Sequence, residues 1–335
     1  MSKSPLRRPL VIALLCALAA AGLGYAAFSR YRMPDNEPDR AAVAPRAGLP
    51  AADQQLLFRT TVLGPSYGHL VLAPLAGAAG PARDVGLTCD RVHFAGGHGI
   101  CLSADRGVVT TYSAALFDKG FVVRHTLALR GVPSRARVAP DGRRGAVSVF
   151  VKAESYEGGA TLTRTSIIDM AAGGTIAELE QFAVSRDGMP FRPADFGFRG
   201  VTFGRDGNRF YATLRARGAT YLVQGDVDAR TARVIADDVD CPSLSPDETR
   251  IAFLRRVPDD RPVSRLHVLT LATGAVTPIA EMRSVDDQVE WLDDGRILYG
   301  LPHGSGSSAI WAVASDGSGE PVMLRADAYS PTVVR

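Results

Sequence analysis

One unit of chain recurs along this sequence, and it leaves few folds open. A short run of alternating apolar residues leads into a tight turn carrying Asp and usually Gly, and a second apolar run follows. Four stretches share this grammar: ARVAPDGRRGAVSVF (Ala136 to Phe150), VTFGRDGNRFYATL (Val201 to Leu214), PSLSPDETRIAFL (Pro242 to Leu254) and VEWLDDGRILYGL (Val289 to Leu301). A fifth, VHFAGGHGICLSA (Val92 to Ala104), matches the fourth without gaps when Gly97-His98 occupies the turn. Each reads as a β-hairpin, because period-two alternation marks strands and Asp-Gly supplies the positive φ angles of a hairpin turn.

A further pair of strand-like runs follows each hairpin, as in LHVLTLATGAVTPIAE (Leu266 to Glu281), AIWAVASDGSGEPVMLRAD (Ala309 to Asp327) and TSIIDMAAGGTIAELEQF (Thr165 to Phe182). Two hairpins make a four-stranded sheet, the blade of a propeller. Five full units start near Asp90, Ser134, Arg199, Asp240 and Asp287. The C-terminal YSPTVVR (Tyr329 to Arg335) resembles the opening strand of a sixth and then stops, while Leu56 to Ala76 lacks an opening strand of its own. The two partial units complete one blade, which removes the free edges that invite aggregation. The expected fold is all-β, a six-bladed β-propeller over residues 53–335.

The SPDE, APDG and GRDG turns, each followed by an apolar strand, resemble the repeats of TolB-like six-bladed propellers with their WD40-like units. The resemblance covers Leu56 to Arg335 and implies the fold. TolB proteins of Gram-negative envelopes carry an α/β domain ahead of the propeller and a cleaved signal. This sequence has a different N-terminus.

Leu10 to Phe28 is a run of 19 residues without a charge, and as a helix it spans about 28 Å, close to the hydrocarbon thickness. Lys3, Arg7 and Arg8 precede it, which favours a cytoplasmic residue 1–9 tail and an exported remainder. Residues 10–28 are therefore expected to be a transmembrane anchor on a single-pass bacterial envelope protein. The alternative is a signal peptide, cleaved to give a secreted protein; Tyr25-Ala26-Ala27-Phe28 is a poor cleavage site. Cys16 lies inside the run without a lipobox. Residues 29–52 are polar, rich in Pro and Ala, and read as a flexible tether. The three basic residues before the run account for the whole net charge of +3, leaving 35 basic and 35 acidic residues. A balanced body gives no electrostatic reason to expect nucleic acid. Lysine occurs only at positions 3, 119 and 152, which we read as the codon usage of a GC-rich bacterium.

No catalytic constellation emerges, and no cofactor is expected. Gly64-Pro65-Ser66-Tyr67-Gly68 fits G-x-S-x-G, but a nucleophile elbow needs a helix after the serine and HLVLAPL reads as strand. The GSGSS run from Gly304 to Ser308 lacks the Lys and helix of a phosphate loop. His69, His93, His98, His125, His267 and His303 show no zinc spacing, and His93 and His267 fall in strands as packed side chains. Of the acidic pairs, Asp293-Asp294 belongs to a hairpin turn, Asp259-Asp260 to a solvated loop, and Asp286-Asp287 precedes a strand. Aligning the hairpins places Asp90, Ser134, Arg199, Asp240, Asp287 and Tyr329 in one column, each before the innermost strand of its blade. The next column holds Arg91, Arg135, Gly200, Cys241, Gln288 and Ser330. These columns ring one mouth of the central channel. The candidate binding residues are Asp90, Arg91, Arg135, Arg199, Asp240, Asp287 and Tyr329. They would take a cation or a charged peptide, or pair with one another at a wet rim.

Cys89 and Cys101 are close in sequence, yet a turn at Gly97-His98 puts Cys101 opposite Phe94. Cys89 then lies five residues further along, beyond the reach of a disulfide unless the chain folds back. Two functions fit. One is a membrane-anchored extracytoplasmic propeller that binds an envelope protein or peptide and is not an enzyme. The alternative is a propeller hydrolase or lyase with a metal held at the mouth by Asp90, Asp240 and Asp287.

Overall fold

Each expected hairpin forms, and the chain winds its strands into six sheets. The computed structural model describes residues 54–75, 82–152, 161–257 and 263–335. The apolar run 10–28, the segment 29–52 and the Asp259-Asp260 pair lie outside these residues. Among the described residues no helix is long and apolar enough to cross a membrane.

Blade 1 takes β1 (Gln55–Thr60), β2 (His69–Pro74) and β3 (Arg83–Thr88). Blade 2 takes β4 (Arg91–Ala95), β5 (His98–Arg106), β6 (Thr110–Asp118) and β7 (Val123–Leu129). Blade 3 takes β8 (Val132–Val138), β9 (Arg144–Lys152), β10 (Thr161–Asp169) and β11 (Gly174–Glu178). An insertion follows: a 3-10 turn (Leu179–Gln181), β12 (Ala183–Arg186) and β13 (Met189–Pro190). Blade 4 takes β14 (Gly197–Phe203), β15 (Arg209–Ala216), β16 (Ala219–Asp226) and β17 (Thr231–Asp237). Blade 5 takes β18 (Asp240–Leu244), β19 (Arg250–Val257), β20 (Val263–Thr270) and β21 (Val276–Pro278). Blade 6 takes β22 (Glu290–Asp293), β23 (Arg296–His303), β24 (Ser307–Ala314) and β25 (Val322–Arg325), and β26 (Ala328–Val334) ends the chain.

The sheet order β26-β1-β2-β3 bears out the closure read from the two chain ends. Gln55 pairs with Val334 and Thr60 with Ala328 across that seam. One feature of the topology was not anticipated. Blade 4 has six strands, because β12 pairs in parallel with the outermost β17 and β13 folds back on β12. The insertion covers an edge that would otherwise be open. Its sequence signal was the long spacing from Ser134 to Arg199.

Packing explains why the first hairpins of each unit were easier to read than the second. Each blade is sandwiched between two others, so its second strand is buried on both faces. The middle residues of β15, β19 and β23 are all buried, giving continuous apolar runs such as IAFL. Outer strands such as β7 expose every other residue or more.

The cysteine expectation is corrected. Cys89 and Cys101 form a disulfide with Cα atoms 5.4 Å apart. The β4–β5 turn is Gly96-Gly97, with φ of 56° and 79°, a two-residue hairpin that Gly tolerates. This register pairs Ala95 with His98 and Cys101 with Val92, two residues nearer to Cys89 than a Gly97-His98 turn would bring it. The chain then bends back: Cys89 N–H donates to Gly68 O (2.9 Å) and Asp90 N–H to Leu102 O (2.7 Å). Gly96 also meets the adjacent blade's turn, where a Cβ would lie 2.3 Å from Gly142 N. That crowding favours the Gly-Gly register.

Candidate binding site at the channel mouth

The innermost strands β26, β4, β8, β14, β18 and β22 line the channel, and several of them bulge at its mouth. Pairing slips between Arg199 and Thr202, between Asp240 and Ser243, between Pro133 and Arg135, and opposite Leu57–Arg59 on β26. Three residues of the second aligned column hold left-handed backbone there: Gly200 (φ 62°), Cys241 (50°) and Ser330 (53°). Such bulges twist a strand and re-aim its side chains. Ser134, Arg199, Asp240 and Tyr329 lie inside their strands, which begin one to three residues earlier than the column implied.

The bulges bring most of the predicted residues together. Arg91 Nη1 donates to Asp287 Oδ2, and also to the Tyr329 hydroxyl at 2.7 Å. The Arg91 guanidinium stacks over the Tyr329 ring at 4.8 Å. That ring in turn lies on Gly300, where a Cβ would sit 2.5 Å from it. Arg135 Nε is 3.3 Å from Asp287 Oδ1, so two guanidiniums share one carboxylate. Arg199 holds Asp240 through two hydrogen bonds of 2.8 and 2.7 Å. Asp90 turns away from the channel, accepting from Ala104 N–H at 3.1 Å, with Arg106 3.8 Å and Arg59 4.0 Å away. Burial pushes the Asp287 carboxyl upward, but the Arg91 and Arg135 charges outweigh it and hold the group below the usual carboxylate range. Burial and the Asp287 charge push the Tyr329 phenol up, so it stays protonated. Burial raises the Cys241 thiol to about 12, which leaves it unreactive.

Below the mouth lies a layer that sequence reasoning missed. Three residues beyond the first aligned column stand His93, Arg137, Thr202, Ser243, Glu290 and Thr332, and all six are buried. Arg137 crosses the channel from blade 3, donating to Glu290 Oε2 (2.5 Å) and Val289 O (2.9 Å) in blade 6. Val138 N–H donates to His93 Nδ1 at 3.0 Å, and His93 Nε2 lies 2.9 Å from Arg137 Nη1 and 3.5 Å from the same Glu290 oxygen. Burial and the Arg137 charge hold His93 neutral. Burial opposes ionisation of Glu290, yet the His93 hydrogen bond and Arg137 bring its pKa down to about 2. Thr332 and Ser330 serve the open edge of β4: their hydroxyls bond Phe94 and Val92 N–H and C=O at 3.1–3.3 Å. The signal was present as an all-polar column between apolar ones. The channel is thereby plugged, and what remains at its mouth is a cavity of about 20 Å³ lined by Arg91, Arg135, Arg137, Asp287, Gln288 and Ser330 among others. That is space for one or two waters.

The remaining chemical readings resolve simply. Gly64 to Tyr67 form a turn between β1 and β2, with Tyr67 N–H on Gly64 O. His267 tilts against Phe253 at 5.6 Å, a packed strand residue, whereas His93 belongs to the channel plug. Asp293 caps its own turn through Gly295 N–H at 2.9 Å. Among the described residues no three His, Cys, Asp or Glu side chains gather as a metal ion would require. Asp90, Asp240 and Asp287 each face arginines instead.

No protein-family model matches the sequence, and no curated protein does. Solved structures do. TolB from Acinetobacter baumannii superposes with a TM-score of 0.55 at 15% identity, covering 85% of this chain and 67% of that one. A chain of a nidogen/laminin complex gives 0.55 at 13% identity, covering 84% of this chain and 98% of its own length. At such identities the likeness is one of fold, and the fold is that of a TolB-like six-bladed β-propeller.

Proposed function

We propose that this chain is a bacterial envelope protein, tethered to the membrane through residues 10–28, whose propeller binds another envelope protein or peptide at its mouth face. The observation that carries the reading is a set of strongly exposed apolar side chains on two loops at the mouth end. The β1–β2 and β5–β6 loops open on the same end as the mouth, since Arg59 and Arg106 at their roots both approach Asp90. Val62, Leu63 and Tyr67 stand on the first loop, and Val108 and Val109 on the second. Leu63 is 71% exposed, Val109 is 74% exposed, and Val108 is fully so. Apolar side chains clustered beside a charged, hydrogen-bonded rim are the make-up of a protein-binding patch.

Two further points support the setting. The Cys89–Cys101 disulfide is buried, and such bonds persist in oxidising compartments outside the cytosol. TolB is among the structures of this fold. The metal-dependent hydrolase or lyase loses its footing, because the carboxylates it would need are already neutralised by arginine.

The test uses the full chain, immobilised from detergent extract, with envelope proteins of its source applied. The Leu63→Asp/Val108→Asp variant should retain no partner, while Val322→Asp, at the start of β25 at the opposite end of the blades, should retain it. Equal retention by all three would end the proposal.

A further inference from the structure

We infer that the mouth cavity recognises a carboxylate, presented by an acidic side chain or a chain terminus of the bound partner; this rests on the mouth-face reading above. The first argument is charge. The cavity is lined by three guanidiniums, Arg91, Arg135 and Arg137. They are met by two carboxylates, Asp287 and Glu290. Asp286 sits on the rim with its side chain exposed, where water screens it. A buried excess of one positive charge disfavours a cation and favours an anion.

The second argument is a donor without an acceptor. Arg135 spends Nη1 on Ser134 O and Nη2 on Asp286 O, each at 3.0 Å. Its Nε is buried and makes no hydrogen bond, since the 3.3 Å approach to Asp287 Oδ1 is poorly aligned. A buried N–H left unmade costs about 1–3 kcal/mol, and an incoming oxygen would recover it. Asp287 cannot turn to supply that oxygen, because Oδ1 accepts Gln288 N–H at 2.8 Å and Oδ2 is held by Arg91.

The third argument is size. A cavity of about 20 Å³ holds one or two water-sized groups, the number of oxygens a carboxylate presents. A planar guanidinium suits a planar carboxylate.

Three capped peptides test this on the full chain in detergent, by calorimetric titration: acetyl-Ala-Glu-Ala-amide, acetyl-Ala-Gln-Ala-amide, and acetyl-Ala-Ala-Ala with a free C-terminus. One of the two carboxylate peptides should bind about tenfold or more tightly than the Gln peptide, and which one identifies the source. Arg135→Gln should abolish the difference. Arg135→Lys, which keeps the charge and protects folding, should reduce it. Arg143→Gln, on the far turns, should leave it unchanged. Binding of neither carboxylate peptide more tightly than the Gln peptide, no binding at all, or binding indifferent to both Arg135 variants would overturn the inference. Partner retention through Leu63 and Val108 would then still stand by itself.

Discussion

Removing the Cys89–Cys101 bridge tests both the register of blade 2 and the compartment argument. The bond closes a loop with a sequence separation of 12. Opening that loop returns about 9.5 cal/mol/K of entropy to the unfolded chain, so a Cys89→Ala/Cys101→Ala variant should lose about 3 kcal/mol at 25 °C. At roughly 2 cal/mol/K of unfolding entropy per residue, a propeller of this size should melt about 5 °C lower. Scanning calorimetry of wild type and variant, with and without reductant, measures the difference. Reductant should lower the wild-type Tm to near that of the variant and leave the variant unmoved. The chain contains 4 cysteines, so thiol titration of unreduced, unfolded protein should find only Cys16 and Cys241. A Tm shift within experimental error, or titration of all the cysteines, would refute the register and the reading of an oxidising compartment with it.

Three other outcomes are expected. Deleting residues 329–335 removes most of β26 and leaves blade 1 with an open inner edge along β1; size-exclusion chromatography should show aggregates or oligomers in place of monomer. Arg137→Met leaves the buried Glu290 without its closest cation, with only His93 at 3.5 Å and Arg335 at 3.9 Å, and should cost about 3 kcal/mol in urea denaturation, whereas the Arg137→Met/Glu290→Met pair should recover most of it. Glu180 concerns pH. Burial raises its carboxyl to about 7, even though Thr165 and Phe198 N–H groups donate to it. A folded pKa above the unfolded one means that Glu180 stabilises the fold most below about pH 4.5 and loses that contribution as pH rises through about 7. Glu180→Gln, whose amide oxygen keeps the acceptor role, should match wild type near pH 4 and exceed it by about 1–2 kcal/mol at pH 8.

The parts of this molecule that could be read from sequence are those whose signal repeats. The first hairpins of blades 3, 4 and 6 turn on Asp-Gly, that of blade 5 on Asp-Glu, and their second strands are buried on both faces, so both the apolar run and the turn recur. The closing strand was legible because Tyr329 to Arg335 repeats the opening of every other unit. The mouth column followed from the same alignment, and Arg91, Arg135, Arg199, Asp240, Asp287 and Tyr329 do meet there. Their partners did not follow. The pairs form beside register slips at Pro133–Arg135, Arg199–Thr202 and Asp240–Ser243, and left-handed backbone at non-glycine Cys241 and Ser330 leaves no mark in composition. The disulfide was misjudged for a related reason. GGH offers two adjacent hairpin turns, and only the crowding of Gly96 against Gly142 on the next blade separates them. The insertion with β12 and β13 was hidden because it repeats nothing.

The account turns on which end of the propeller meets a partner, and site-specific photo-crosslinking in living cells measures that directly. A photoreactive residue at Val108 or Leu63, on the mouth-face loops, should give one shared adduct band in the cell envelope. The same residue at Val276 or Val322, at the starts of β21 and β25 at the opposite end, should give none. Adducts from Val276 or Val322 with none from Val108 or Leu63 would contradict the assignment of the mouth face as the binding surface.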